Sequence, residues 1–300
     1  MLRWTPASMP DLTGRTALVT GANSGIGFHT ARELAAHGAR VLMACRDAHR
    51  ANDALVRIKA TKPSGSVELV TLDLAALASV EAAALDVSAR VESLDLLVNN
   101  AGIMAVGQGT TEDGFELQLG TNHLGHFALT GRLLPVLLRA DEPRVVTVSS
   151  YAHLVGRISF DDLMGEKGYG RWKAYGQSKL ANLLFTLELD RRAEGRLTAV
   201  AAHPGYAATH LQQGQGQPLV EKLMAVGNAL VAQSDVKGAW PSLRAATDTD
   251  IRGNDFFGPL GLGLRGTPVH SPRTGSARNR EDARRLWEVS EELTGVTYDL

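Results

Sequence analysis

The strongest constraint on this 300-residue chain is a regular alternation of short apolar runs with segments of helical periodicity. The apolar runs predict six strands, at residues 16–20, 40–45, 67–72, 94–98, 144–148 and 197–202. The segments between them predict helices at about residues 25–37, 47–62, 77–91, 122–139 and 175–192. Strands that alternate with helices form parallel sheets, and strands that are apolar throughout are covered on both faces. We therefore predict an α/β fold, a doubly wound parallel sheet in a single domain spanning residues 1–300.

The composition narrows the class of protein. The chain is 44% hydrophobic and 21% charged, so it can bury a large core. Its net charge is −1, from 31 basic and 32 acidic residues, which gives no general attraction to nucleic acid. Cys45 is the one cysteine, and the sequence has no apolar run long enough to span a membrane. We expect a soluble, cytoplasmic protein.

Polar residues and glycines follow every predicted strand. They are the glycine-rich turn at 21–27, Arg46, Asp73, the segment 99–102, Ser149 with Ser150, and Pro204 with Gly205. The carboxyl ends of parallel strands meet at one edge of the sheet, and this edge binds ligands in doubly wound folds. The sequence therefore predicts a ligand site along this edge.

The turn after the first strand reads T-G-A-N-S-G-I-G, residues 20–27. Glycines allow close backbone approach, and the helix that follows points free N–H groups at the turn, which suits a pyrophosphate. The residues predicted to hold it are Gly21, Asn23, Ser24, Gly25, Ile26 and Gly27. No lysine follows the last glycine, so a P-loop ATPase is excluded.

The end of the second strand bears on cofactor choice. NAD-selective sites usually offer a carboxylate there, about 20 residues past the glycines, to the ribose. This chain has Cys45 and then Arg46, and a guanidinium can grip a 2′-phosphate through two hydrogen bonds. We expect NADP(H). The alternative is NAD(H), with Arg46 solvated and Asp47 serving as the ribose acid.

The stretch Y-G-Q-S-K places Tyr175 four residues before Lys179, on one face of a helix. A nearby ammonium would favour the phenolate and lower the pKa of Tyr175, giving a tuned proton donor. An ordinary amphipathic helix with one tyrosine and one lysine is the alternative.

Five motifs, in this order, resemble those of the short-chain dehydrogenase/reductase superfamily. They are T-G-A-N-S-G-I-G, N-N-A-G at 99–102, V-S-S at 148–150, Y-G-Q-S-K at 175–179 and H-P-G at 203–205. The resemblance spans about residues 14–209. The stretches C-R-D, T-N-H-L-G-H-F and S-K-L-A-N are similar to the retinol-dehydrogenase-like branch.

The resemblance implies a Rossmann-like fold and hydride transfer between a nicotinamide and a carbonyl or alcohol, here a lipophilic one. Tyr175 would donate the proton, Lys179 would assist it and bind the nicotinamide ribose, and Ser150 would hold the substrate oxygen. Asn122 would anchor a water in the proton relay. The remaining cofactor-binding residues that it implies are Asp73, Leu74, Asn99, Asn100, Ala101, Gly102, Pro204, Gly205 and Thr209.

Two departures from the family pattern stand out. Ser150 and Tyr175 are 25 positions apart (175 − 150), about twice the spacing common in the superfamily, which puts the substrate mouth in question. Ser24 stands where many NADP-dependent members carry a basic residue.

Other readings compete with this one. His123 and His126 are a candidate metal pair, but a third ligand motif is lacking, so we expect no metal. The arginines between 273 and 285 alternate with acidic residues, which favours a solvated helix face over nucleic-acid binding. The alternative from another class is an NADP(H)-binding redox sensor or scaffold without turnover.

Three further expectations concern assembly and the substrate mouth. The helix of Tyr175 has two apolar stripes, one through Leu180 and Leu184 and one through Phe185 and Leu189, which predicts a homodimer or homotetramer. Residues 206–234 should form a substrate lid, followed by a C-terminal extension at about 253–300. The substrate's identity and the direction of the reaction stay open.

Overall fold

The structure, a computed structural model, describes residues 4–205, 234–261 and 265–300. The predicted lid lies outside the described residues, apart from Ser234, and so does Thr209.

An eight-stranded sheet organises the described part of the chain. Its strands are β1 (Thr16–Thr20), β2 (Arg40–Cys45), β3 (Ser66–Thr71), β4 (Leu96–Asn99), β5 (Arg144–Val148), β6 (Thr198–Ala202), β7 (Phe256–Gly261) and β8 (Arg265–His270). Their order is β3-β2-β1-β4-β5-β6-β7-β8, parallel from β3 to β7, with β8 antiparallel to β7. The strand order reverses between β1 and β4, which is where doubly wound sheets bind their ligands.

Helices cover both faces of this sheet. They are α1 (Gly25–Ala36), α2 (Ala48–Lys59), α3 (Leu77–Arg90), α4 (Leu117–Leu119), α5 (Gly125–Leu137), α6 (Arg171–Ala193), α7 (Asp235–Gly238), α8 (Trp240–Thr247) and α9 (Arg280–Thr294). A π turn, Gly120–Leu124, joins α4 to α5. The helix predicted at about 122–139 is therefore interrupted by this turn at its start.

The six predicted strands are confirmed, whereas β7 and β8 went unpredicted. Each of the two carries a proline, Pro259 or Pro268, which lacks the N–H of a regular strand residue. The predicted doubly wound parallel sheet is confirmed, and the antiparallel β8 extends it at one edge.

Successive residues of the strands pack into different cores. Val19 and Met43 belong to the cluster under α1, α2 and α8, whereas Leu18 and Leu42 belong to the cluster under α3, α5 and α6. Burial on both faces explains why these strands are apolar throughout.

The second apolar stripe of α6 is buried within the chain. Phe185 and Leu189 are buried, and the Phe185 ring stacks on Trp287 of α9 at 5.9 Å between ring centroids. The stripe therefore no longer argues for a partner subunit, and the homo-oligomer stays a prediction. Among the described residues, none of the helices has the length and apolar character needed to cross a membrane.

Candidate active site

Thr20, the last residue of β1, ties together the two strand ends at the switch point. Its hydroxyl oxygen accepts hydrogen bonds from the backbone N–H groups of Asn100 and Ala101, both at 2.9 Å. The same hydroxyl lies 2.9 Å from Nε2 of His126. Nδ1 of His126 donates to the carbonyl of Asn122, so Nε2 of the neutral ring accepts from Thr20. Sequence reasoning missed Thr20, whose only signal is a hydroxyl directly before the glycine turn.

The glycine turn has the conformation that its sequence predicts. Gly21 and Gly25 adopt φ values of +66° and +54°, which side-chain-bearing residues rarely adopt. Gly27 is buried, and a Cβ there would lie 2.4 Å from the carbonyl oxygen of Gly21. The third glycine thus lets α1 approach the turn closely, whereas Asn23, Ser24 and Gly25 stay partly accessible.

The turn fits a dinucleotide pyrophosphate. The first N–H groups of α1 have no partners inside the helix. Within the described residues, the side chain of Ser24 gives them no capping hydrogen bond. Among the described residues, a Cβ on Gly25 would meet only Asp235 Oδ2 within 4 Å, at 3.8 Å, so the described part of the chain leaves room for a ligand at this position.

Arg46 directly follows Cys45, the last residue of β2. Its side chain is 73% exposed, and its guanidinium lies 3.7 Å from the carboxylate of Asp73 at the end of β3. Asp47 instead caps α2, because its Oδ1 accepts from the Arg50 backbone N–H at 3.0 Å. This capping role weighs against Asp47 as the ribose acid.

Two of the predicted cofactor-binding residues have buried side chains, and their contact with the cofactor stays a prediction. Asn99 has no exposed surface, and its amide donates to the Thr130 hydroxyl at 3.0 Å, so it supports the edge from beneath. The Leu74 side chain is buried in the core, which leaves only its backbone for a ligand. In both cases, a side chain that points into a covered face cannot reach the edge.

Asn100 and Gly102 lie where predicted. The Asn100 side chain donates to the Thr20 carbonyl at 2.7 Å, which joins the N-N-A-G segment to the glycine turn. A Cβ on Gly102 would lie 3.3 Å from Nζ of Lys179, so this segment and the Tyr175 helix meet here.

Ser150, Tyr175 and Lys179 come together at the carboxyl ends of β5 and β4. Ser150 and Tyr175 share a side-chain hydrogen bond. Nζ of Lys179 lies 5.8 Å from the Tyr175 ring centroid and donates to the Val148 carbonyl at 3.1 Å. Residues that are 25 positions apart in the sequence thus form one cluster (175 − 150).

The proton affinities in this cluster differ from those expected. Burial raises the pKa of Tyr175, and the hydrogen bond from Ser150 opposes this rise only partly. Burial also lowers the pKa of Lys179 to about 8. The pKa of Tyr175 is therefore raised, not lowered as the spacing of Tyr175 and Lys179 predicted, because loss of water dominates.

Ser149 and Ser150 have different surroundings. The Ser149 hydroxyl is buried and donates to the Lys179 carbonyl at 2.7 Å, which fixes α6 against β5. Ser150 is more accessible and is the one bonded to Tyr175. The geometry therefore favours Ser150 as the residue that faces a substrate.

Asn122 lies in the π turn, and its side chain already has partners. Its Oδ1 accepts from the Ile103 N–H at 2.8 Å, and its Nδ2 donates to the Ile103 carbonyl at 2.9 Å and the Ser178 hydroxyl at 3.0 Å. It thus positions the segment after β4 against α6. π turns are frequent at functional sites, and the role of Asn122 as a water anchor stays a prediction.

The H-P-G motif follows β6. Gly205 has a φ of +74°, and its N–H donates to Nδ1 of His203 at 3.2 Å. Nε2 of His203 therefore carries the proton and donates to the Ser271 hydroxyl at 2.9 Å. The half-buried Pro204 and Gly205 are held at the edge by this bond to β8's end.

The histidine pair has structural roles. His123 lies 2.9 Å from the Ser290 hydroxyl of α9, and His126 bonds Thr20. Burial lowers their pKa values to about 3 and about 4. Among the described residues, no group of three or more metal-ligating side chains is present.

The insert between Ser150 and Tyr175 is anchored by residues that sequence reasoning missed. The buried Gln118 accepts from the Ala105 N–H at 2.7 Å and donates to the Tyr169 hydroxyl and the Arg171 carbonyl, both at 2.9 Å. The Tyr169 hydroxyl in turn donates to the Val106 carbonyl at 2.9 Å. Both sides of the substrate mouth are thus tied together.

Comparison with known proteins gives one consistent result. The family model described as short chain dehydrogenase matches residues 15–219. The human protein named retinol dehydrogenase 12 is 42% identical over 290 residues, covering 96% of this chain and 89% of its own. The mouse protein named polyprenol dehydrogenase is 42% identical over 298 residues, covering 97% and 87%.

Solved structures agree. An uncharacterized protein from Mycobacterium paratuberculosis superimposes over the whole of both chains with a TM-score of 0.84 and 44% identity. RhlG from Pseudomonas aeruginosa, solved as an NADP active-site complex, has a TM-score of 0.64 and 27% identity, over 82% of this chain and 94% of its own.

Proposed function

The chain belongs to the short-chain dehydrogenase family and is an oxidoreductase that acts on alcohols or carbonyls, and from this premise we propose its finer activity. We propose that it is an NADP(H)-dependent enzyme that interconverts a lipophilic carbonyl compound and its alcohol. The reaction would depend on Ser150, Tyr175, Lys179 and Asn122.

One observation carries this proposal above the others. The hydrogen-bonded Ser150 and Tyr175 lie with Lys179 at the carboxyl edge. The glycine turn that fits a pyrophosphate lies at the same edge. A proton donor, an oxygen-binding hydroxyl and a dinucleotide cradle are what carbonyl reduction requires.

The proposed mechanism assigns a task to each side chain. The nicotinamide cofactor supplies or takes up the hydride when bound. Tyr175 holds its proton at neutral pH, because burial raises its pKa, and it gives this proton to the developing alkoxide. Ser150 donates a hydrogen bond to the same oxygen and orients it. Lys179, with its pKa lowered to about 8, binds the nicotinamide ribose. It also returns a proton to Tyr175 through the water relay that Asn122 positions.

The preference for NADP(H) is supported at the end of β2. Arg46 is exposed, whereas the Asp47 carboxylate caps α2. A guanidinium without a competing ribose acid suits a 2′-phosphate. Asp73, another predicted cofactor-binding residue, lies beside Arg46.

A lipophilic substrate is supported by two relatives. Proteins named retinol dehydrogenase and polyprenol dehydrogenase are each 42% identical to this chain. We also propose a cytoplasmic location, on the sequence observations alone. The homodimer or homotetramer stays a prediction, because the apolar stripe that suggested it is buried within the chain.

A direct assay tests the proposed function. Purified protein is mixed with NADPH or NADH and a panel of aldehydes and ketones of increasing chain length, and loss of absorbance at the reduced nicotinamide band is followed. We expect turnover with NADPH. Tight NADPH binding with no turnover of any carbonyl or alcohol would instead support the redox-sensor alternative.

A further inference from the structure

Large apolar side chains are exposed on both segments that border the Ser150–Tyr175 pair. Leu154 and Val155, just after Ser150, are 47% and 80% exposed. Trp172, at the start of α6, is 52% exposed. Exposed apolar surface is costly in water unless a ligand covers it for part of the time.

The Trp172 indole touches the reacting phenol. Its ring centroid lies 6.2 Å from that of Tyr175, and the two ring planes meet at 77°. Tyr175 itself is buried, whereas the neighbouring indole is half-exposed. A substrate whose oxygen meets Tyr175 would therefore lay its adjacent carbons beside Trp172.

The same region is rigidly supported. A Cβ on Gly156 would lie 2.3 Å from the Gly176 carbonyl oxygen, so the first part of the insert packs tightly on α6. At the other end, Gln118 donates to the Arg171 carbonyl at 2.9 Å, directly before Trp172. Supported apolar side chains beside a reacting group can discriminate among substrates, because little freedom is lost on binding.

We propose that Trp172 is a specificity-determining residue that binds the hydrocarbon portion of the substrate next to its carbonyl. Leu154 and Val155 are the further exposed apolar side chains of the segment that follows Ser150. This inference rests on the proposed function. It assigns recognition of the length of the substrate's hydrocarbon chain to the segment between Ser150 and Tyr175, including the start of α6.

The test compares a long and a short aldehyde in matched variants. Decanal and propanal present the same carbonyl but differ in apolar length. For Trp172→Ala, we expect kcat/KM to fall about ten-fold or more for decanal and less than about two-fold for propanal. Trp172→Phe should keep most of the decanal activity, because it retains an aromatic surface. Leu85→Ala serves as the control, since Leu85 is 67% exposed on α3 and should affect neither aldehyde.

Two results would overturn the inference. Equal losses of kcat/KM for both aldehydes in Trp172→Ala would show a general effect on Tyr175 and no recognition of the substrate's hydrocarbon chain. Unchanged kinetics with a changed mass in light scattering would show that Trp172 contacts another subunit.

A binding measurement separates this inference from the proposed function. Decanamide and propanamide cannot accept a hydride readily, so calorimetric titration of the protein with NADPH reports binding alone. If no aldehyde is turned over, the proposed function fails. The inference still stands if Trp172→Ala weakens decanamide binding by about ten-fold, and it falls if wild type and variant bind decanamide equally.

Discussion

The guanidinium of Arg46 lies 3.7 Å from the carboxylate of Asp73, across the ends of β2 and β3. The contact is at the outer limit of an ion pair, and the arginine is largely exposed. Such a pair contributes little to stability. Arg46 is therefore available to bind a phosphate at small cost.

Arg46→Ala should raise the KM for NADPH about ten-fold or more and leave the KM for NADH nearly unchanged. The reason is that a charge-assisted contact to the 2′-phosphate is lost. Steady-state kinetics with both cofactors measure this difference. Arg284→Ala is the matched control, since that exposed arginine pairs with Glu288 on α9. Equal effects on the two cofactors would remove Arg46 from phosphate recognition.

Gly27→Ala should weaken binding of NADPH by about ten-fold or more and also lower stability. A Cβ there would meet the Gly21 carbonyl oxygen at 2.4 Å, so the turn or α1 must move. Gly275→Ala is the control, because a Cβ at that position meets nothing within 4 Å in the part of the chain that the structure describes. Fluorescence titration with NADPH gives the affinity, and unchanged affinity would contradict the proposed cradle.

Ser150 and Ser149 should separate chemistry from stability. Ser150→Ala should lower kcat by about 100-fold, because a donor to the substrate oxygen is lost. Ser149→Ala should leave kcat within a few-fold and lower the free energy of unfolding by about 1 kcal/mol, since it removes the bond to the Lys179 carbonyl. The opposite pattern would assign the substrate to Ser149.

The buried histidines predict a loss of stability in acid. Burial lowers the pKa of His123 from 6.5 to about 3. Between these two pH values, His123 binds a proton in the unfolded chain but not in the folded chain. The stabilising contribution is complete above pH 6.5 and is lost as pH falls towards 3. Urea unfolding at pH 7 and pH 5 should show this decline. In His123→Gln the decline between pH 7 and pH 5 should be smaller by about 2 kcal/mol in total, because the loss approaches about 1.4 kcal/mol per pH unit only below pH 6.5, and an unchanged decline would contradict the account.

Much of this architecture was predictable from local sequence. The six strands of the doubly wound half are mostly apolar, although β3 carries Glu68, and each leads to glycine or polar residues that the structure places on one edge. Ser150 and Tyr175 meet as the motifs indicated, although 25 positions separate them (175 − 150). The topology of a parallel sheet determines which of its edges binds ligands. The alternation of strands and helices in the sequence predicts this topology.

The rest depends on contacts between distant segments. Asn99 looked like a ligand-facing residue, but its side chain points beneath the edge to Thr130. The roles of Thr20 and Gln118 depend on partners from other elements. The pKa of Tyr175 is raised by burial, and the four-residue spacing of Tyr175 and Lys179 does not predict burial.

The most direct test of the central claim is carbonyl-dependent oxidation of NADPH by wild type and by Tyr175→Phe. The variant keeps the ring that packs on Trp172 and removes only the hydroxyl that bonds Ser150. Our account predicts that kcat falls by about 100-fold or more while the dissociation constant for NADPH stays nearly the same. Turnover by Tyr175→Phe close to that of wild type would contradict the account.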